Sequence, residues 1–233
     1  RSFNTTYRTH SVELTAIWLT LKLASITTLI LLVLGTPLAW WLAHSTNKLR
    51  PAVEALTAMP LVMPPTVIGF YLLLLFSPDN PIGQFWFQIT GDTLTFSFSG
   101  LVVASLIYSL PFMVQPLMNT FAQVGKGPIE VAYTLGAKPW DAFCNVILPL
   151  SLRGYITASV LTFAHTIGEF GVVLMVGGNI PGETRLVSIA IYEEVETLNY
   201  AQAHLLSGIL VAFSFIVLLL VYSTNRRAAM RVL

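Results

Sequence analysis

Charge is what this 233-residue chain has least of: 10% of its residues are Asp, Glu, Lys or Arg, against roughly 25% in a soluble domain. With 55% hydrophobic residues and a mean hydropathy of +0.74, an ordinary water-soluble domain is excluded. Cysteine is almost absent too. A single Cys144 rules out an internal disulfide and any thiolate-rich metal site. His10, His44, His165 and His204 fall in separate segments without ligand spacing, so no metal centre is expected. Gly125-Lys126-Gly127 lacks both the earlier glycine and the Ser/Thr after lysine that a phosphate-binding loop needs. The formal net charge is +1 and no basic stripe is interleaved with aromatics, so no nucleic-acid partner is expected. The residues before Val12 are polar and lack an apolar core, and no cleavable signal peptide is expected.

Long apolar stretches are abundant. A helix crossing a hydrocarbon core of about 30 Å needs about 20 residues. Five segments qualify: Leu14 to Ala43, Val53 to Phe76, Leu101 to Ala122, Ile156 to Val176 and Leu205 to Tyr222. The expectation is an all-α, polytopic membrane helix bundle of about five spans forming one domain over 1–233. The first stretch is over-long and should tilt or protrude.

Between the third and fourth stretches lies Gly127-Pro-Ile-Glu-Val-Ala-Tyr-Thr-Leu-Gly136, too short and too polar to span. Pro128 suits a first helical position, Glu130 complements the dipole in the first turn, and Gly136 with Pro139 supplies a stop. The prediction is a helix of about two turns, which is unstable alone and needs something packed on it. On local chemistry it reads either as a surface linker or as a docking helix.

Two further patterns carry chemistry. In Met59-Pro-Leu-Val-Met-Pro-Pro-Thr-Val67, Pro60, Pro64 and Pro65 each remove a backbone hydrogen bond, so an unbroken second span is not expected. Irregular backbone at membrane depth survives only when buried in protein or bordering a watery cavity. A packed kink and the border of a transport path both fit. In the fourth stretch Thr162, His165, Thr166 and Glu169 recur at i, i+3, i+4 and i+7, one helical face. An ionisable residue inside a span faces a bundle interior or aqueous cavity. Glu169 is poorly suited to bind an anion, because like charges repel in low dielectric. It fits a structural carboxylate joining helices, with His165 one turn away as a partner, or a gating role. Asp79, Asp92 and Asp141 fall outside the spans, which leaves an intramembrane enzyme without paired acids.

Glu130, Ala132, Gly136, Leu148 and Pro149 stand at the spacing of the cytoplasmic Glu-Ala-Ala loop of ATP-binding-cassette importer permeases, with Val131 and Val146 as apolar replacements in register. The segment therefore resembles that family's coupling loop, here about 124–150. The proline segment resembles Leu-Pro-Leu-Val-Leu-Pro-Pro-Thr-Val of molybdate-type permeases. Gly168-Glu-Phe-Gly171, Gly178-Asn-Ile-Pro-Gly182 with Thr184, and Ala190-Ile-Tyr192 are similar to the signature of the same permeases. The resemblance runs from the first span to the last.

It implies a multi-pass inner-membrane permease subunit, not itself an enzyme and without a cofactor, importing an oxyanion, molybdate first and sulfate or tungstate as alternatives. It implies alternating access in a homodimer embedded in lipid, two cytoplasmic ATPase subunits that hydrolyse the ATP, and an extracytoplasmic binding protein. Glu130, Val131, Ala132, Thr134, Leu135, Gly136 and Ala137 would form the ATPase-coupling surface. Pro60, Pro64, Pro65, Thr162, His165 and Glu169 would border the path or gate. With that loop inside, Lys48, Arg50, Lys126, Lys138, Arg153, Arg226, Arg227 and Arg231 are cytoplasmic, against Arg1, Arg8, Lys22 and Arg185 outside. This asymmetry places the N-terminus outside and the C-terminus inside. A different class, an ion-coupled secondary transporter, would have only the Thr162 to Glu169 stripe for its coupling ion.

Overall fold

The computed structural model describes the backbone of residues 2–229 and the side chains of residues 14–219. The side chains of Arg1, Arg8, Arg226, Arg227 and Arg231, used above in the orientation argument, lie outside the described residues. The first helix, α1, runs over Ser2–His44. Helix α2, Arg50–Ala58, continues through a 3₁₀ turn at Met59–Leu61 and stops. Helix α3, Pro65–Phe76, then departs at 109° to it. The break falls among the prolines, as the missing N–H groups require. The second span is thus not one rod: at 1.5 Å per residue α3 is only about 18 Å long.

Helix α4, Pro81–Thr90, was not expected from hydropathy, yet its ends are well marked. Asn80 accepts a hydrogen bond from the Ile82 N–H at 3.1 Å, Pro81 opens the helix and Gly91 closes it with φ +75°. Helix α5, Phe98–Val124, is the central pillar and continues as one helix through Pro111 and Pro116. Two short helices follow, α6 at Gly127–Thr134 and α7 at Pro139–Ala142. A π turn over Phe143–Ile147 then leads into α8, Leu148–Ile167. Helix α9, Gly171–Gly177, helix α10, Val187–Glu196, and helix α11, Tyr200–Ala229, complete the described chain.

Among the described residues four stretches are long and apolar enough to cross a membrane: Leu14–His44, Phe98–Val124, Pro139–Ile167 and Tyr200–Leu219. The bent pair α2 and α3 supplies a fifth if it counts as one span. Helices α1 and α8 pack on α5 through Leu31, Ala39 and Leu42, Met113, Leu117 and Phe121, and Ala158. Close approach needs small residues where helices have no solvent to drive them together. A Cβ on Gly154 of α8 would lie 2.2 Å from Thr120 Oγ1 of α5, so only glycine fits there.

The two ends of the bundle are distinct. At one, Trp40 of α1 meets Phe121 of α5 (5.1 Å between centroids) and Phe143 of the π turn (6.4 Å), beside α6 and α7. At the other, Lys22 Nζ sits 4.6 Å over the Phe98 ring, and the Phe96 N–H donates to Val176 O at 2.9 Å. There the chain turns from α9 into α10, where Thr20 Oγ1 accepts from the Val187 N–H at 3.0 Å.

Candidate functional site: a buried polar joint and an exposed short helix

The carboxylate of Glu169 is the most deeply placed ionisable group among the described residues, 3% exposed as a residue. It does not sit on a continuous helix. Helix α8 ends at Ile167, Gly168 caps it, and Glu169 and Phe170 form the break before α9. The one-face stripe is therefore corrected: Thr162, His165 and Thr166 share a helix, whereas Glu169 hangs from the joint beyond it. Two α5 hydroxyls hold it, Ser105 donating to Oε2 at 2.6 Å and Ser109 to Oε1 at 2.7 Å.

Ser109 also lies 2.9 Å from His165 Nδ1 and 2.9 Å from Thr166 Oγ1. One hydroxyl has one proton. With that proton on Glu169 and the Thr166 proton on Thr162 O at 2.9 Å, His165 must present Nδ1–H to Ser109. The imidazole stacks on Phe112 (3.8 Å between centroids) and tilts against Tyr108 (4.9 Å), and its Nδ1 is 3.6 Å from Glu169 Oε1, too far for a hydrogen bond. Thr162 is fully buried and its hydroxyl has no partner among the described residues. On the other side of the joint Ser188 of α10 donates to the Glu169 main-chain oxygen at 2.5 Å.

The proline break reaches the same place. A Cβ on Gly171, first residue of α9, would lie 2.9 Å from Pro65 Cβ, first residue of α3. One turn on, a Cβ on Gly69 would lie 2.8 Å from Met175 Cβ. Two broken helices thus lie side by side, with Ile68, Leu72 and Phe76 against Val172 and Val176. Pro65 joins this contact, Pro64 caps α3 from outside, and Pro60 is buried in the 3₁₀ turn on the other side of the bend. Sequence reasoning missed Ser105 and Ser109. Their signal was available: two serines four apart within the membrane stretch of α5, hence on one face.

At the opposite end α6 is closed by a Schellman motif, with Ala137 N–H on Ala132 O and Gly136 N–H on Tyr133 O, both 3.0 Å. Gly136 takes φ +85°, the conformation that favours glycine. Ala132 is the buried residue of this helix, and Ile129 packs toward the core. Glu130 and Thr134 are exposed, as are Val131 (59%), Leu135 (83%) and, beyond the turn, Trp140 (76%). This two-turn helix thus turns apolar side chains outward from the bundle. Among the described residues no three His, Cys, Asp or Glu side chains gather as a metal site. On α10 the hydrogen bond to Glu196, 2.6 Å, holds the Tyr192 phenol above its usual range.

An all-helical bundle with broken spans, a buried polar joint and an exposed short helix at one end defines a polytopic transport permease. The chain belongs to the family of binding-protein-dependent transport system inner membrane components, which matches residues 35–229. It is therefore a multi-pass inner-membrane transport subunit rather than an enzyme. It is 58% identical over 92% of its length to the molybdenum transport system permease protein ModB of Azotobacter vinelandii, covering 95% of that protein. To the ModB of Escherichia coli K12 it is 36% identical over 79% of this chain and 81% of that one. The sulfate transport system permease protein CysT of the same organism is 30% identical over 86% of this chain and 72% of its own. In fold the chain is similar to a chain of the inward-facing MetNI methionine ABC transporter, with TM-score 0.70, 18% identity and coverage of 94% and 97%. A bacterial alginate ABC transporter in complex with its periplasmic protein is similar at TM-score 0.73, 16% identity and coverage of 92% and 78%.

Proposed function

We propose that this chain is the permease subunit of an ATP-driven, binding-protein-dependent molybdate importer that works by alternating access. The observation that carries the substrate is the 58% identity with the Azotobacter molybdenum permease over 92% of this chain. Two copies would enclose the path and dock two ATPase subunits through α6, with Glu130, Val131, Thr134, Leu135 and Gly136 at the contact. The N-terminus is placed outside and the C-terminus in the cytoplasm, and a binding protein delivers the oxyanion to the end that holds Phe96 and Gly178.

In this reading the joint at Gly168–Phe170 and the bend at Pro64–Pro65 are the movable part. Short helices α3 and α9 shift as a pair when α6 is displaced, while Ser105 and Ser109 keep Glu169 tied to α5. The carboxylate joins helices and does not bind substrate, since it would repel an anion.

The test is uptake into proteoliposomes holding the permease, its ATPase and the binding protein, with molybdate, tungstate and sulfate offered in turn. Molybdate uptake should follow ATP and persist with an uncoupler. Uptake that collapses with an uncoupler at constant ATP makes Thr162 to Glu169 a coupling-ion site and overturns the reading; preferential sulfate uptake changes the substrate only.

A further inference from the structure

Of the lysines and arginines among the described residues, only Lys22 and Arg185 lie at the end of the bundle where α9 turns into α10. Their surroundings differ. The Lys22 ammonium is spent on the face of Phe98 at 4.6 Å. The Arg185 side chain is 14% exposed, and its Nη2 meets Glu193 Oε2 on α10. Its buried Nε has no partner among the described residues. One edge of the guanidinium is therefore committed to Glu193 while the Nε–H has no acceptor among the described residues.

The loop that carries it is firmly built. Ile180 O accepts from the N–H groups of Glu183, Thr184 and Arg185 at 3.0–3.2 Å. Buried Thr184 donates to Gly177 O at 2.7 Å and accepts from the Ile180 N–H at 3.1 Å. The arginine is fixed at its backbone while its counter-ion remains accessible: the Glu193 side chain is 38% exposed, and its Oε2 also takes the Asn179 amide at 2.9 Å. Asn179 gives that carboxylate a second donor once the guanidinium lets go.

We infer that Arg185 is an anion-receiving residue at the outer mouth of the path, which takes a tetrahedral oxyanion in exchange for its ion pair with Glu193. A guanidinium fork matches two oxygens of such an anion, as it matches a carboxylate. Exchange against a resident carboxylate also keeps the hold weak. A path needs a site favourable enough to enter and poor enough to leave. The inference rests on the proposed importer and its orientation, and names the residue that takes substrate from the binding protein.

The test uses the complete reconstituted transporter with molybdate-loaded binding protein, and reads molybdate imported per ATP hydrolysed. Arg185→Gln should lower that ratio about tenfold, the effect of losing one charge-assisted hydrogen bond, with ATP hydrolysis still stimulated by the binding protein. Glu193→Gln, which keeps the shape but releases Arg185, should equal or exceed wild type. The double variant should behave like Arg185→Gln. If the pair only pins α10 to its loop, both single variants lose stimulation alike and the neutral double variant recovers, which overturns the inference. Should Arg185→Gln fail to assemble, a ratio for Glu193→Gln below wild type overturns it and one at or above wild type supports it. Were wild type to carry sulfate in place of molybdate, the same ratio read with sulfate decides, because both are tetrahedral dianions.

Discussion

Gly171 and Pro65 touch so closely that the glycine has no room for a methyl group: its Cβ would stand 2.9 Å from the proline Cβ. Each is the first residue of a short helix after a break. Two interrupted spans are thus packed start to start.

Gly171→Ala should therefore push α3 from α9 and destabilise the bundle by roughly 1–3 kcal/mol, the usual cost of overpacking. Gly168→Ala, whose Cβ would meet nothing nearer than His165 O at 3.6 Å, should be tolerated. Thermal unfolding of the two detergent-purified variants checks this; equal melting temperatures would mean the contact relaxes freely.

Replacing Ser109 with Ala removes the donor to Glu169 Oε1 and the partner of His165 Nδ1 together. A lost partner for a buried polar group costs roughly 1–3 kcal/mol. Glu169→Leu leaves Ser105 and Ser109 unpaired from the other side, whereas Glu169→Gln keeps size and acceptor. Transport should survive in Glu169→Gln and fail in Glu169→Leu. Equal loss in both would assign the work to the ionised carboxylate.

Gly136→Pro places a residue with φ near −65° where the backbone sits at +85°, and deletes the N–H that reaches Tyr133 O. The permease should reach the membrane and yet neither bind its ATPase nor import. Co-purification with the ATPase measures this directly, and normal uptake by a well-expressed variant refutes the role given to α6.

In a Cys144→Ser background, a cysteine at Asp79 or Glu183 should react with an impermeant thiol reagent from outside, and one at Lys138 only after the membrane is opened. The basis is the Lys/Arg asymmetry. Inverted labelling would reverse the orientation and move α6 out of reach of a cytoplasmic ATPase.

Hydropathy found the apolar stretches because a bilayer demands length and apolarity of any helix that crosses it, but the fourth, expected over Ile156–Val176, lies at Pro139–Ile167. The Pro64–Pro65 break was legible for a local reason, the absent N–H. The end of α8 at Ile167 was not: Gly168 has no obligatory positive φ, and the stripe through Glu169 imitates a continuous face. What ends the helix is tertiary, since Ser188 draws the Glu169 carbonyl toward α10 while Ser105 and Ser109 draw its carboxylate toward α5. Helix α4 went unread because its capping residues, Asn80, Pro81 and Gly91, are a local code that a hydropathy count ignores. The exposed apolar face of α6 was visible only as a spacing, since sequence does not say which side of so short a helix the bundle covers.

The π turn at Phe143–Ile147, where the Leu148 N–H reaches back five residues to Phe143 O, sets a phase. It amounts to one residue inserted into a helix, and one residue is about 100° of rotation. Everything before it, Trp140 included, is angularly offset from everything after it, His165 included. Shortening this stretch by one residue would leave composition, hydropathy and span length nearly untouched. It would turn the face that meets Ser109 away from α5 while α6 stayed in place, so the molecule would keep both ends and lose their alignment.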